Sequence, residues 1–426
     1  MTTQHPRLLS RIVSSTVVCG VMLMATLGCD AKKSADVAAV PAERLPDVDV
    51  PRGDETVKVA VTEEQATAFA NQWQQAVIAK DVPTVQALVD WDGIMNRTLR
   101  GFAVEKEFRD GFIRGATSPE STLRLIGTIS DEVNAGGSYR LVRVTRRAGR
   151  SHVTLRLINP DGALNYHDLR LKRSGDAIVA DRLFFASTGE AFSDTLRAMV
   201  AGAVQSQGSV IRQLTGEVKK EMELLRQQSD MSNAMRRGDN ETALAIYEKM
   251  PTELQQEKMP MLLRIMATGL DDEDAYLQTI DDFVVRYPND AAVGLITLDA
   301  AVFREDHALL MKSYDQLQRF TGGDTYLDLM VGGVLANQGR LSEAKELTDA
   351  IDPADLKLAS AHDFKLSVAM AADDHPATLK QLMILRDDYG YALADLSGIE
   401  GFEKFVASPQ YQQWQASAPA PAASQP

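Results

Sequence analysis

The sequence predicts an α+β amino-terminal domain, with helices on a curved antiparallel sheet, followed by an all-α helical-repeat solenoid. Between residues 121 and 186, apolar and polar residues alternate in five segments separated by short turn sequences, which is typical of strands. From Gly238 to Asp373, turn-type residues recur every 33 or 34 residues, which is typical of helical hairpins in an array. Residues 229–417 contain 32 acidic and 16 basic residues, so the two parts also differ in surface charge.

The composition limits the classes of function. With 426 residues, 45% of them hydrophobic, the chain is too long for one core and too apolar to be disordered throughout. The net charge of −14 disfavours nucleic acid as a partner. The two cysteines, Cys19 and Cys29, precede the folded part, so we expect no disulfide, thiol nucleophile or cysteine-based zinc site there. The six histidines lack metal-ligand spacing, and we find no catalytic motif. We therefore predict a protein that is not an enzyme and needs no metal or cofactor.

The amino terminus predicts a secretory signal peptide over residues 1–28. Two arginines precede a mostly apolar run that is too short and too interrupted to span a membrane. The sequence TLGC at residues 26–29 resembles the lipobox of bacterial lipoproteins, although that family usually has leucine where Thr26 stands. The resemblance implies that Cys29 is acylated, becomes the new amino terminus and anchors the protein to a lipid membrane. The alternatives are an ordinary cleaved signal and an uncleaved anchor.

Residues 29–61 predict a lipidated tether, because they are rich in alanine, proline, aspartate and lysine and show no helical or strand period. Asp30 resembles the signal that keeps some lipoproteins in the inner membrane. We therefore expect a protein of the envelope of a Gram-negative-type bacterium that faces the periplasm, with the inner membrane favoured over the outer. Residues 418–426, APAPAASQP, predict a disordered tail.

Residues 62–188 predict the α+β domain. Thr62 and Gln65 have the spacing of a capping box, and further helices are expected over 83–97 and 105–114. Strands are expected over Ser121–Ser130, Ser138–Arg147, Ser151–Ile158, Ala163–Arg173 and Ala177–Ala186. Short turns between them predict an antiparallel meander. This order of elements resembles the cone-shaped domain of the nuclear transport factor two-like superfamily. Because that superfamily contains enzymes, binding modules and inert partners, the resemblance implies a fold but no particular activity.

The predicted sheet offers one candidate pocket residue. Alternation places His167 on the same face as Leu169 and Leu171, so its imidazole is a candidate to line the pocket of the cone. The alternative is a histidine that is hydrogen-bonded within the core. The opposite face collects the basic residues Arg124, Arg140, Arg146, Arg156, Arg170 and Lys172. We expect this face to be solvated, or else to dock anionic lipid or the chain's own acidic half.

Residues 189–417 predict helical repeats with a terminal cap. The segments GDNETALAIYEKM, LANQGRLSEAKEL and FVVRYPND resemble the inter-helix turn, second helix and exit of the tetratricopeptide repeat. The resemblance implies four to five degenerate repeats that stack into a solenoid. The alternative is an irregular helical bundle. Phe402, Phe405 and Trp414 are expected to close the carboxyl end.

One helix of the repeat region is apolar nearly all round. The segment KMPMLLRIMATGL places Met259, Leu262 and Met266 as candidates for a partner-binding groove, a use that suits the adaptable methionine side chain. The alternative is burial on both sides of the helix.

The function that these features favour is a membrane-anchored, non-enzymatic protein-interaction scaffold of the bacterial envelope. The groove of the helical repeats would hold another envelope protein or a peptide. The alternatives are a small-ligand-binding or enzymatic role in the pocket of the α+β domain, and a purely structural role in the envelope.

Overall fold

The computed structural model describes residues 60–102, 104–160, 162–197, 200, 216–269, 272–391 and 395–417. Cys29, the predicted signal peptide, nearly all of the predicted tether and the predicted tail lie outside these residues. The described chain has an α+β part followed by helices, as the sequence predicts. Its contacts form two compact units, which meet in sequence at Ala300 and Ala301. None of the described helices has the length and apolar character needed to cross a membrane.

The α+β part begins with helices. In the described chain these are α1 (Glu63–Ile78), α2 (Val82–Ala87), α3 (Trp91–Thr98), α4 (Lys106–Ala116) and α5 (Pro119–Asn134). The predicted capping box starts α1, because the Thr62 hydroxyl accepts from the Gln65 amide at 3.3 Å and the Gln65 side chain accepts from the Thr62 amide at 3.1 Å. Phe69, Trp73 and Val77 then form its buried stripe, which packs towards the sheet.

The single helix expected over 83–97 is wrong, since the chain leaves the helical path between α2 and α3. Val89 forms a parallel bridge with Ala180 on the edge of the sheet. The Asp90 amide donates to the Ala180 carbonyl at 2.9 Å, and the Ala180 amide donates to the Leu88 carbonyl at 2.8 Å. These bonds replace the helical bonds that residues 88–90 would otherwise make.

The strand expected over Ser121–Ser130 is also wrong, because this segment belongs to α5. Ser118 caps the helix by accepting from the Ser121 amide at 3.1 Å, and Pro119 occupies the first helical turn. Leu125, Ile126 and Ile129 are buried at helical spacing, whereas Leu123, which period two would bury with Leu125, is 43% exposed. Local capping therefore outweighs the apparent alternation.

The sheet is an antiparallel meander in which neighbours in sequence are neighbours in space. Its strands are β1 (Ser138–Arg147), β2 (Arg150–Ile158), β3 (Leu164–Ser174), β4 (Ala177–Phe185) and β5 (Glu190–Ala191). A two-residue turn at Ala148 and Gly149, both with positive φ, joins β1 to β2. The register of β2 on β3 sets Leu155 opposite His167 and Thr154 opposite Asp168. The α1 and α5 helices cover the His167 face and form the domain core with it.

The rest of the described chain is helical. Its helices are α6 (Gly216–Arg236), α7 (Asn240–Lys249), α8 (Thr252–Gln255), α9 (Lys258–Thr268), α10 (Glu273–Arg286), α11 (Val293–Phe303), α12 (His307–Thr321), α13 (Thr325–Asn337), α14 (Leu341–Thr348), α15 (Ala359–Ala371), α16 (His375–Asp387), α17 (Glu403–Val406) and α18 (Pro409–Ala416). Phe402, Phe405 and Trp414 are buried together against Leu382, in the place expected for a terminal cap.

Five helical hairpins among the described residues have regularly spaced N-cap residues. The second helix of each begins after an N-cap residue, and these residues are Asp239, Asp272, Asp306, Arg340 and Asp374. Their spacing is therefore 33, 34, 34 and 34 residues, in agreement with the period read from the sequence. Each aspartate accepts a hydrogen bond from an amide three residues later at 3.0 Å. The residue four places after each N-cap is at most 2% exposed.

Helices α11 and α13, which are the first helices of two later hairpins, are buried on nearly all sides. Residues 292–301 of the α11 segment are all buried, and α13 buries ten of its thirteen residues. Neither helix has a polar stripe, so no orientation would leave one face in water. Two adjacent glycines allow close packing on opposite sides of α13: Gly332 faces Thr348 of α14, and Gly333 faces Phe364 of α15.

We predict opposite effects for two glycine-to-alanine substitutions. A methyl group at Gly333 would lie 2.9 Å from Phe364 Cδ1 and 3.2 Å from its Cα, so Gly333→Ala should lower the free energy of unfolding by about 1–3 kcal/mol. Gly127 of α5 has open space around it, so Gly127→Ala should raise that free energy by about 0.5–1 kcal/mol. Urea unfolding followed by circular dichroism measures both, and equal effects would contradict the packing of α13 on α15.

Candidate functional site

The interior of the α+β domain contains a short hydrogen-bonded chain around His167. Trp73 Nε1 donates to the Tyr139 hydroxyl at 3.1 Å, and the same oxygen lies 3.2 Å from His167 Nδ1. His167 Nε2 lies 3.4 Å from Asn165 Nδ2. The Phe185 ring meets the imidazole edge-on at 4.9 Å between centroids. His167 is thus held on both ring nitrogens and packed against aromatic side chains.

The space beside His167 is a cavity of about 10 Å³, which has room for about one water molecule. Its wall consists of Trp73, Leu125, Ile126, Ile129, Tyr139, His167, Leu169, Leu183, Phe184 and Phe185. Burial lowers the pKa of His167 to about 3, so the imidazole is neutral at physiological pH. The structure therefore places the predicted pocket residue in a filled apolar interior, in the hydrogen-bonded core position that was the alternative.

The opposite face of the sheet holds a polar cluster that the sequence analysis did not identify. His152 Nδ1 lies 2.8 Å from Asp168 Oδ1, and the Thr154 hydroxyl donates to Asp168 Oδ2 at 3.3 Å. Arg147 forms an ion pair with the same carboxylate. His152 and Asp168 are 1% and 2% exposed. Register could have revealed the pair, because counting outward from the NPDG turn sets Thr154 opposite Asp168 and brings His152 diagonally beside it.

Electrostatics favours the charged form of Asp168. Burial alone would raise the pKa of this carboxyl group, but the hydrogen bond from His152 and the charges of His152, Arg147 and Arg182 lower the pKa overall. The remaining ring nitrogen of His152, Nε2, is buried without a hydrogen-bond partner in the described structure. A histidine oriented by a carboxylate can act as a base, but here it lies inside the fold rather than in a cleft.

The expectation of a solvated basic face is wrong for its central residues. Arg156 is 1% exposed, and Arg170 donates to Asp181 at 2.8 and 3.2 Å. Lys172 pairs with Asp90 at 2.5 Å. Arginine and lysine side chains on this face therefore pair with carboxylates of the same domain. Arg124 was misplaced together with the wrong strand, because it belongs to α5.

The predicted groove residues do not form an accessible groove. Leu262 is fully buried, Met266 is 5% exposed and Met259 is half-buried. The physical reason is that α9 has apolar residues on nearly every side, so packing covers it as it covers α11 and α13. The alternative of burial on both sides describes Leu262 and Met266 correctly.

Two isolated carboxyl groups are buried in the helical part. Burial raises the pKa of Asp299 well above its ordinary value, although the Tyr276 hydroxyl, which donates at 3.0 Å, opposes this. Burial raises the pKa of Asp363 to about 6, and the hydrogen bond from Tyr391 at 3.1 Å opposes it. Each is held by one tyrosine within packed helices, an arrangement that suits a structural role.

No protein family, curated protein or solved structure matches the chain. Among the described residues, histidine, cysteine, aspartate and glutamate form no group of three that could hold a metal ion. Cys29, the predicted lipid anchor, lies outside the described residues.

His167 should not titrate in the physiological range. Because burial lowers its pKa to about 3, its ring proton shifts in an NMR titration should stay constant from pH 5 to pH 8. A His167→Gln variant assigns the signal. A titration of His167 with a midpoint near pH 6.5 would contradict the closed interior.

Asp168→Asn should destabilise the α+β domain by about 1–3 kcal/mol, because it removes the buried carboxylate that contacts His152 and Thr154 and pairs with the partly exposed Arg147. Asp176→Asn, at the exposed turn between β3 and β4, is the matched control and should change stability by less than about 0.5 kcal/mol. The pKa of Asp168 is lower in the folded state than in the unfolded state. Its contribution to stability is therefore present at pH values above its unfolded-state pKa, and it is lost as the pH falls through its folded-state pKa. Urea unfolding at neutral pH and at about pH 3 measures both effects. Similar losses from the two substitutions would overturn the assignment.

Proposed function

We propose that this chain is a lipid-anchored, non-enzymatic protein-interaction scaffold of the bacterial envelope. Acylated Cys29 holds it on the periplasmic side of a membrane, with the inner membrane favoured. The observation that carries the proposal is the constant spacing of the five N-cap residues, from Asp239 to Asp374. A repeated hairpin of 33 or 34 residues supports a tetratricopeptide-like solenoid, an architecture suited to holding other proteins.

The interaction surface in this proposal lies on the second helices of the hairpins. Helix α13 is buried, whereas the position six residues after the N-cap is exposed at Lys312, Glu346 and Lys380, which all lie in the compact unit that begins at Ala301. These side chains are polar and extend from helices whose other faces are fixed by packing. An envelope protein or a peptide that contacts several of them would gain affinity from each site of contact.

The alternative of a ligand or substrate in the α+β domain has less support. The cavity beside His167 has room for about one water molecule, far less than the roughly 300 Å³ of a small-molecule site. In this proposal the domain therefore serves as a rigid base between the tether and the helical hairpins.

Site-specific photo-crosslinking in cells tests the proposal. A photoreactive amino acid at Lys312, Glu346 or Lys380 should form adducts with one common envelope protein. The same amino acid at the exposed positions Lys106 and Glu120 of the α+β domain is the matched control. Adducts at none of the hairpin positions, or equally at the control positions, would contradict the proposal.

The anchor is tested separately. Wild-type protein should incorporate a clickable palmitate and partition with membranes, whereas Cys29→Ala should do neither. If Cys29→Ala remains labelled, the lipid anchor is wrong, even when the hairpin adducts are still found.

A further inference from the structure

Lys258 of the helical part contacts the turn before β5. Lys258, at the start of α9, places Nζ 2.7 Å from Asp290 Oδ2 and 3.7 Å from Glu190 Oε1. The same ammonium group donates to the Gly189 carbonyl at 3.1 Å. The Lys258 and Asp290 side chains are about 15% exposed, so water screens their interaction only in part. Sheet domain and hairpin region therefore meet at a specific polar contact.

The backbone at Gly189 is shaped for this contact. Its φ of +61° lies in the left-handed region, which favours glycine. A Cβ atom there would lie 2.2 Å from Asp290 Oδ1 and 2.9 Å from Lys258 Nζ, so a side chain would push the two charged groups away. Asp290 is itself fixed, because its Oδ1 accepts from the Ala292 amide at 2.9 Å before α11.

Acidic groups outnumber basic groups at this contact. Lys258 faces Glu190 and Asp290, and Asp194 adds a third carboxylate. Burial raises the pKa of Glu190 above its ordinary value, Lys258 opposes the rise, and the charges of Asp194 and Asp290 add to it. Protonation of Glu190 removes repulsion within the cluster and leaves the shorter Lys258–Asp290 pair in place.

We propose that Lys258, Gly189, Glu190 and Asp290 form an electrostatic latch that joins the sheet domain to the first helical hairpins and tightens when Glu190 takes up a proton. The latch makes the two parts open as one cooperative unit. It goes beyond the interaction role proposed above and does not depend on it, because the contact lies within a single compact unit of the chain.

Hydrogen exchange on the full chain tests the latch. Lys258→Met keeps the length of the side chain and removes the charge, so exchange over residues 186–194 and 258–268 should accelerate together by about tenfold. Lys249→Met, at an exposed position of α7, is the matched control and should leave both segments unchanged. Unchanged exchange in Lys258→Met, or acceleration of only one segment, would overturn the proposal.

A pair of glycine substitutions provides a second test. Gly189→Ala and Gly149→Ala both place alanine at positive φ, but only the first meets charged groups. Gly189→Ala should therefore accelerate exchange over 258–268, and Gly149→Ala should affect only the β1–β2 turn. If neither substitution changes exchange over 258–268, the geometric part of the proposal fails.

Glu190→Gln tests the pH response. The pKa of Glu190 is higher in the folded state than in the unfolded state. Its contribution to stability is therefore present at pH values below its unfolded-state pKa, and it is lost as the pH rises through its folded-state pKa. After correction for intrinsic exchange, wild-type protection of 186–194 should be greater at pH 5 than at pH 8, and Glu190→Gln should reduce that difference. An identical pH dependence in the variant would refute the acid-tightened latch.

Discussion

Four helical hairpins in the described part of the chain depend on one backbone constraint: the chain must reverse within a few residues without leaving the helix ends unpaired. In four hairpins a residue with positive φ follows the first helix, and these residues are Gly238, Glu305, Gly339 and Asp373. The next residue, the N-cap of the second helix, donates its amide to a carbonyl five positions earlier at 2.8–3.0 Å. One residue pair thus closes one helix and starts the next. Glu305 and Asp373 adopt this conformation despite their side chains, which shows how firmly the flanking helices impose it.

Packing then decides which surfaces remain for function. Helices α11 and α13 lack a polar stripe and are covered, whereas the second helices of the hairpins keep polar residues in solvent. The sheet differs from the hairpins, since its central strands β2 and β3 are buried on both faces. One face carries the apolar core around His167, and the other carries charged side chains such as Asp168, which pair across strands. Buried charge of this kind fixes strand register more than it adds stability.

Local signals in the sequence predicted much of this fold. The capping box at Thr62, the meander from Ser138 onward and the period of the hairpins all depend on residues close together in the chain. The strand expected over Ser121–Ser130 failed for a local reason, the cap at Ser118, whereas the other failures have nonlocal causes. The helix expected over residues 83–97 is interrupted because Val89 forms a bridge with Ala180, which is far away in the sequence. The predicted pocket is filled, because aromatic side chains such as those of Phe185 and Trp73 occupy it. The alternation of apolar and polar residues in the sequence does not reveal how much space the side chains fill. The His152–Asp168 pair required strand register rather than composition.

The measurement that tests the shared turn most directly is the exchange rate of four backbone amides, those of Asp239, Asp306, Arg340 and Asp374. Each donates to a carbonyl five residues earlier, so NMR-detected hydrogen exchange should show protection of at least about a hundredfold relative to an unstructured chain. Similar protection in all four would support one repeated turn. Exchange of these amides at unprotected rates, while the helices beside them stay protected, would contradict the geometry on which the repeat array rests.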